Sequence, residues 1–330
     1  MTSRTRRTAT KGINLHELVD LFMFSVKADG RSPCTYEYYR KPLGHLLKYA
    51  EMNHWPSDIR LVDVQLMRNF LVWVTTRKYD YNTGNGSRRS TTSSETRGWS
   101  YYKAARRFFN WAKEEGHIDE SPMGPIHVKP PPQALVQPYS VEEIKRLLRI
   151  CDLDKKTGAR FCGVRNEALI KFLIDTALRL KETVMLKLSD IDLEKQIVLV
   201  TGKGNRTEIC PFSSITAKAV RLYLLERKTR AKCDALWLTE EGTQFTVNGF
   251  GSWFARLKAR AGLQGPGRIH RLRHTAALLY LRATRDTFLL QLFLRHKDLA
   301  MSRRYTQGLQ REEAISAHRN GGSPVMALKL

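Results

Sequence analysis

Apolar side chains return every three or four positions through most of this 330-residue chain, and residues that favour helix starts precede several of the runs. Leu15, Leu18, Val19, Phe22, Met23 and Val26 form one stripe, opened by Asn14, whose side chain suits a helix N-cap. Ser32 and Pro33 open a second helix, and Asp63 a third. A fourth carries Trp99, Tyr102, Phe109 and Ala112 on one side with Lys103, Arg106, Arg107 and Lys113 elsewhere, and stops at Gly116. The pattern predicts a small helical bundle over residues 1–127. Between its last two helices, YNTGNGSRRSTTSSETRG at 81–98 is too rich in Gly, Ser and Thr to pack. It is expected to be a mobile loop in which Arg88 and Arg89 meet phosphates.

The helical pattern breaks at IHVKPPPQALVQPYS, residues 126–140, where four prolines remove backbone donors and favour extended chain. Residues 128–139 therefore read as an interdomain linker. Ser140 and Glu143 then have the spacing of a capping box, and Ile144, Leu147, Leu148 and Cys151 follow at helical intervals, so a second domain covers 140–330. It reads as mainly helical with one interruption. QIVLVTGKGNRTEICPF, residues 196–212, is a β-branched run, a Gly-Lys-Gly-Asn turn and a second short run, as in a β-hairpin. LWL at 236–238 is a candidate third strand, and SDIDLEKQ before the hairpin reads as a solvated connector. The expected fold class is mainly α with a small β-sheet.

Charge changes the picture. Lys plus Arg number 56 against 32 Asp plus Glu, a net charge of +24. Such a surface attracts polyanions by counterion release, so nucleic acid is the leading partner, with a ribosome-associated or merely basic protein as the alternative. The five cysteines (Cys34, Cys151, Cys162, Cys210, Cys233) are scattered and contain no CxxC pair, so they read as buried thiols in a reducing compartment. No apolar run reaches the roughly 18–20 residues that span a bilayer. The basic start MTSRTRR is not followed by the apolar segment of a secretory leader. A cytoplasmic protein without membrane attachment is expected.

Four segments of the second domain carry candidate chemistry. In TALRLKE, Arg179 and Glu182 are three apart and share a helical face; in HRLRH, His270 and Arg273 repeat that spacing. Lys203 lies at the hairpin tip, and LRHKDLAMSRRY supplies His296 and Tyr305. Two arginines, a lysine, two histidines and a tyrosine suit a phosphate better than a metal. The guanidinium fork matches phosphate oxygens, a lysine can protonate a departing alkoxide, and a phenol oxygen can form a phosphodiester that is attacked again later. His270 and His274 stand at i and i+4, but the glutamate after the first histidine that a zinc protease needs is missing. Asp190, Asp192 and Glu194 alternate as in a metal-nuclease strand, but the solvated connector is the preferred reading. GKGN lacks P-loop spacing. No metal and no cofactor is expected.

Taken together and in order, TALRLKE, GKGN, HRLRHTAA and LRHKDLAMSRRY resemble the catalytic boxes of the tyrosine recombinases, the phage integrase family of Cre-, Xer- and lambda-type enzymes. SETRGWSYYKAARRFFNWAKEEGHIDESPM resembles the last helix of that family's core-binding domain. The resemblance implies a helical, SAM-like core-DNA-binding bundle followed by an α+β catalytic domain, the two forming a C-shaped clamp. It implies that Tyr305 attacks DNA and leaves a 3′-phosphotyrosyl link. Arg179 and Arg273 would stabilise the phosphorane-like transition state, and Lys203 would protonate the 5′ oxygen. His270 would handle the nucleophile's proton, His296 would hydrogen-bond the scissile phosphate, and Glu182 would support the first arginine and histidine. The implied activity is site-specific DNA recombination or integration at double-stranded sites without metal or ATP.

Three positions depart from the family pattern: Arg295 and Ala177 stand where glycine is usual, and Ser302 where threonine is frequent. The tail 306–330 ends in Val325, Met326, Leu328 and Leu330 after a Gly-Gly pair. In the family such tails dock on a neighbouring protomer of a DNA-bound homo-tetramer; packing on its own domain is the other reading. Few residues precede the first helix, which suggests an enzyme acting on core sites, with Arg4, Arg6, Arg7 and Lys11, like Lys103, Arg106 and Arg107, on the DNA backbone. The alternatives are a type IB-like topoisomerase and a DNA-binding protein that no longer cleaves.

Overall fold

The computed structural model describes residues 13–83, 87–92, 95–132, 137–202, 207–264 and 269–295, with the backbone alone for 78–83 and 87–92. The chain divides into two compact units, Met1–Ala134 and Leu135–Leu330.

The first unit contains α1 (Leu15–Ala28), α2 (Pro33–Met52), α3 (Val64–Thr76) and α4 (Glu95–Glu114), with a 3-10 turn at Ile59–Leu61. The expected caps are in place: Asn14 accepts from the His16 N–H at 2.8 Å, Ser32 from Thr35 at 3.2 Å, and Asp63 from Leu66 at 2.8 Å. The whole α1 stripe is buried. It meets the aromatic face of α4, where Phe22 and Phe108 lie edge to face with centroids 5.6 Å apart. Gly116, at φ +77°, follows the end of α4 and returns its N–H to Lys113 O.

The loop expected at 81–98 is corrected. The backbone forms an antiparallel ribbon, β1 (Lys78–Thr83) with β2 (Ser87–Thr92), running from Lys78↔Thr92 to Thr83↔Ser87, and α4 already begins at Glu95. Low hydrophobicity suggested a loop, but a two-stranded ladder needs no apolar face to pair its backbone groups. The Tyr residues of β1 and the Thr residues of both arms are also strand-compatible.

The second unit runs α5 (Val141–Lys156), α6 (Arg160–Thr176), α7 (Leu180–Met185), β3 (Ile191–Asp192), β4 (Ile197–Thr201), β5 (Thr207–Pro211), α8 (Ser214–Arg227), α9 (Val247–Arg260), α10 (His270–Thr284) and α11 (Thr287–Leu294). The capping box that opens α5 is formed: Ser140 Oγ accepts from the Glu143 N–H at 3.1 Å, and the Glu143 carboxylate accepts from the Ser140 N–H at 2.8 Å. The buried helix α6 packs against α5, α8 and α10. The sheet order is β3-β4-β5, all antiparallel, with Ile197↔Pro211 and Thr201↔Thr207 in register. Val198 and Val200 point inward while Leu199 is exposed.

Two expectations for this unit change. SDIDLEKQ is not purely a connector, because Ile191–Asp192 pair with β4. LWL does not join the sheet: the Leu236 N–H bonds Leu186 O and the Leu188 N–H bonds Asp234 O, so 234–236 pair with the chain after α7 instead. Trp237 is drawn into the core, stacked 5.1 Å from Tyr223 and edge-on to Phe172. Burial of its large apolar surface outweighs a place on a three-stranded sheet edge. Among the described residues no helix is long and apolar enough to cross a membrane.

Candidate active site

The site grows from two chain reversals tied to one salt-bridged carboxylate, with a residue of α10 bridging them. α6 ends at Ala177, whose φ of +50° is left-handed and whose N–H returns to Leu173 O. A non-glycine residue there costs about 1 kcal/mol, so the sharp turn is held against strain. Two residues on, Arg179 is the N-cap of α7 and Glu182 is its third residue. The carboxylate reaches back to the Arg179 N–H at 2.9 Å and pairs with its guanidinium at 2.6 Å. Burial alone would raise the Glu182 pKa, but these bonds and the charge of Arg295 hold it below the usual carboxylate value, so it is ionised.

α10 supplies the next two groups from one turn of helix. Arg273 is buried and donates to the carbonyls of Ala177 and of Leu294, the latter at 2.5 Å. It thereby braces the C-terminal end of α6 against that of α11. His270, the first residue of α10, reaches the surface on one side. Partial burial lowers its pKa, and the Arg273 and Arg179 guanidiniums lower it further, which favours the neutral imidazole. His274 is half-buried, with its ring edge-on to His270 at 4.7 Å.

The second reversal ends α11. Arg295 adopts φ +52°, in the left-handed region that favours glycine, and returns its N–H to Leu292 O. Its side chain turns inward, 7% exposed, with Nη2 3.0 Å from Glu182 Oε2 and Nε 3.5 Å from Glu208 Oε2. It also contacts Cys210 Sγ, whose thiol is pushed up by burial. Glu182 therefore serves two arginines.

Of the sequence-predicted residues, Arg179, Glu182, His270 and Arg273 are brought together. Lys203, His296 and Tyr305 lie outside the described residues, as do Arg4, Arg6, Arg7, Lys11, Ser302 and the tail 306–330. Arg88 and Arg89 lie on β2, where the backbone alone is described. Lys103, Arg106 and Arg107 are exposed along one face of α4. Lys103 lies over the Tyr38 and Trp99 rings, Arg106 donates to the Tyr102 hydroxyl at 2.6 Å, and Arg107 pairs with Glu114 at 3.0 Å. The alternating acids take structural parts: Asp190 accepts from the Lys187 N–H, and Asp192 from those of Glu194 and Lys195. Among the described residues no group of three or more His, Cys, Asp or Glu could hold a metal ion.

Two residues in the HRLRH region were not singled out from the sequence. Arg271 lies over the Tyr139 ring at 3.9 Å and donates to the carbonyls of Gln137 and Pro138, while the Thr275 hydroxyl accepts from the Tyr139 N–H at 2.7 Å. They fasten the end of the proline-rich segment to the helix that bears His270 and Arg273. No local pattern marks them, because their partners lie more than a hundred positions away.

Residues 139–312 match the phage integrase family. Tyrosine recombinase XerD of Listeria innocua is 24% identical over 88% of this chain and 94% of its own length. Tyrosine recombinase XerC of Oceanobacillus iheyensis is 28% identical over 83% and 86%. In fold, the chain is similar to the XerH site-specific recombinase bound to palindromic difH substrate in a post-cleavage complex, with TM-score 0.68, 23% identity and coverage of 92% and 83%. It is likewise similar to a lambda integrase dimer bound to a COC′ core site, with TM-score 0.66, 14% identity and coverage of 89% and 77%. Since the family match covers more than half of its residues and contains every candidate catalytic group, this chain belongs to the phage integrase family of tyrosine recombinases.

Proposed function

We propose that this enzyme is a site-specific DNA recombinase that breaks and rejoins double-stranded DNA through Tyr305. In the forward step the phenol oxygen attacks the scissile phosphorus, the P–O bond to the 5′ oxygen breaks, and a 3′-phosphotyrosyl link remains. Neutral His270 takes the phenol proton and Lys203 gives a proton to the departing 5′ oxygen. Arg179 and Arg273 offset the charge that gathers on the phosphoryl oxygens, His296 hydrogen-bonds the same phosphate, and Glu182 aims Arg179. A 5′ hydroxyl from a second strand then reverses the step. One phosphodiester is exchanged for another, so no nucleotide energy source, metal or cofactor enters the scheme.

The observation that best supports this reading is that Glu182 and two helix-end carbonyls hold the guanidiniums of Arg179 and Arg273, with His270 one turn before Arg273 on α10. Such a cluster is prepared for an anion and a proton transfer at one place. The first unit would add phosphate contacts through Lys103, Arg106, Arg107, Arg88 and Arg89, and the N-terminal Arg4, Arg6, Arg7 and Lys11 would extend them. On DNA the enzyme would assemble as a homo-tetramer, each tail 306–330 lodging on a neighbouring copy. A groove of about 580 Å³ between β5, α10 and α11 supports this, since Ile209, Phe212, Leu279, Leu289, Leu292 and Phe293 make it apolar, like the end of the tail.

A trapping experiment tests the chemistry. Wild type and Tyr305→Phe are incubated with nicked suicide duplexes from DNA flanking the gene, with EDTA present throughout. A denaturation-resistant adduct with wild type only is expected. An adduct that survives in Tyr305→Phe, or one that EDTA abolishes, would overturn the assignment.

A further inference from the structure

We propose that Arg295 is a positioning residue that locks the turn leading into His296 and Tyr305 to the carboxylate that aims Arg179. It has this role only if the enzyme is the recombinase proposed above.

Arg295 occupies a left-handed backbone position, φ +52°, at which glycine would be unstrained. The chain places a long cationic side chain there, and that side chain is almost wholly enclosed. Its Nη2 donates to Glu182 Oε2 at 3.0 Å, and its Nε lies 3.5 Å from Glu208 Oε2. Glu182 Oε2 also accepts the Arg179 N–H, while Glu182 Oε1 holds the Arg179 guanidinium at 2.6 Å. One carboxylate thus joins two arginines more than a hundred residues apart in the chain. Arg273 runs a second tie between the same two turns, through the carbonyls of Ala177 and Leu294.

These two ties differ in what they constrain. Arg273 fixes backbone to backbone and is itself assigned to the phosphate in the proposed mechanism. Arg295 spends its donors on Glu182, Glu208 and Cys210, so it acts on the reaction through Glu182 and through the direction in which the chain leaves α11. A guanidinium is suited to this because its planar fork stays charged at all working pH values and fixes direction as well as distance. Without Arg295, Glu182 would keep its bonds to Arg179 but lose the anchor that relates Arg179 to the nucleophile's segment. DNA affinity would then be retained while the geometry of attack loosens, a loss that falls on the chemical step.

The test compares Arg295→Gly, Arg295→Lys, Glu182→Gln and the double variant Arg295→Gly/Glu182→Gln with wild type on suicide duplexes. It reads single-turnover adduct formation, DNA affinity in a Tyr305→Phe background, and thermal midpoint. Arg295→Gly should bind within about twofold of the parent and form adduct roughly 10- to 100-fold more slowly. Arg295→Lys should recover part of the rate, and the double variant should be little slower than Glu182→Gln alone, because the arginine acts through that carboxylate. Wild-type rates in Arg295→Gly would overturn the proposal. So would full additivity with Glu182→Gln, or a rate loss that tracks a lowered thermal midpoint and is restored on cooling. No adduct from wild type on any flanking duplex would sink the recombinase reading itself, and this proposal with it.

Discussion

His270 sits where a helix start, a solvent boundary and two guanidiniums meet, and its protonation follows from that position. Partial burial, then Arg273, then Arg179 disfavour the imidazolium, so its folded pKa lies below the ordinary 6.5. The unfolded chain therefore binds the proton more readily, and this residue's contribution to stability is present above pH 6.5 and falls as pH drops below it. In the proposed mechanism, a His270 kept neutral in this way would still accept the tyrosine proton in mildly acidic solution. We expect the His270 ring resonance to titrate below 6.5 by NMR, and the midpoint to move partway back in Arg179→Gln; a midpoint unmoved by that substitution would remove Arg179 from the cluster. At this scale much of the site was legible. Arg179 with Glu182, and His270 with Arg273, recur at three-residue spacing, which a single helical turn converts into proximity. Arg295 was legible only as an anomaly, because its partners Glu182 and Cys210 lie 113 and 85 positions away and no local pattern encodes them.

Among the elements, those announced by caps and periodicity were read correctly. The start of α1 at Asn14, of α2 at Ser32, of α3 at Asp63 and of α5 at Ser140 each rest on a side chain that satisfies an N–H within a few residues, so the information is local. The β1–β2 ribbon and the buried LWL segment were misread because their outcome depends on backbone pairing and on space in a core, which composition does not record. α11 shows how an element can be legible and yet incomplete. Leu290 and Leu294 are buried in the contact with α10, while Leu289 and Leu292, 43% and 72% exposed, line the apolar groove. That exposure is what the proposed tail contact would relieve. Deleting residues 322–330 should leave binding to a single site intact and abolish complexes that join two sites in native gels. Two-site complexes that survive the deletion would show that the tail is not the link between copies.

Across the whole molecule the dominant quantity is charge. A net +24 is spread over both units, and the candidate backbone contacts in the first unit include three cations along one exposed face of α4. Lys103 and Arg106 rest on aromatic rings and Arg107 is held by Glu114, so the face is arranged in advance, and a phosphate can replace the exposed Glu114 carboxylate at small cost. Binding to DNA would release condensed counterions, so log affinity should fall with log salt by roughly 0.9 for each phosphate neutralised. Replacing Lys103, Arg106 and Arg107 together by alanine should make that slope shallower by about one unit per lost contact, for cognate and unrelated duplexes alike. The signature separates a backbone-gripping face from a base-reading one, because loss of base contacts weakens the preferred sequence selectively and leaves the non-specific slope unchanged. An unaltered slope in the triple variant would mean that α4 presents this face to solvent or to another protein. The cations that hold DNA would then have to be found among the remaining Lys and Arg residues.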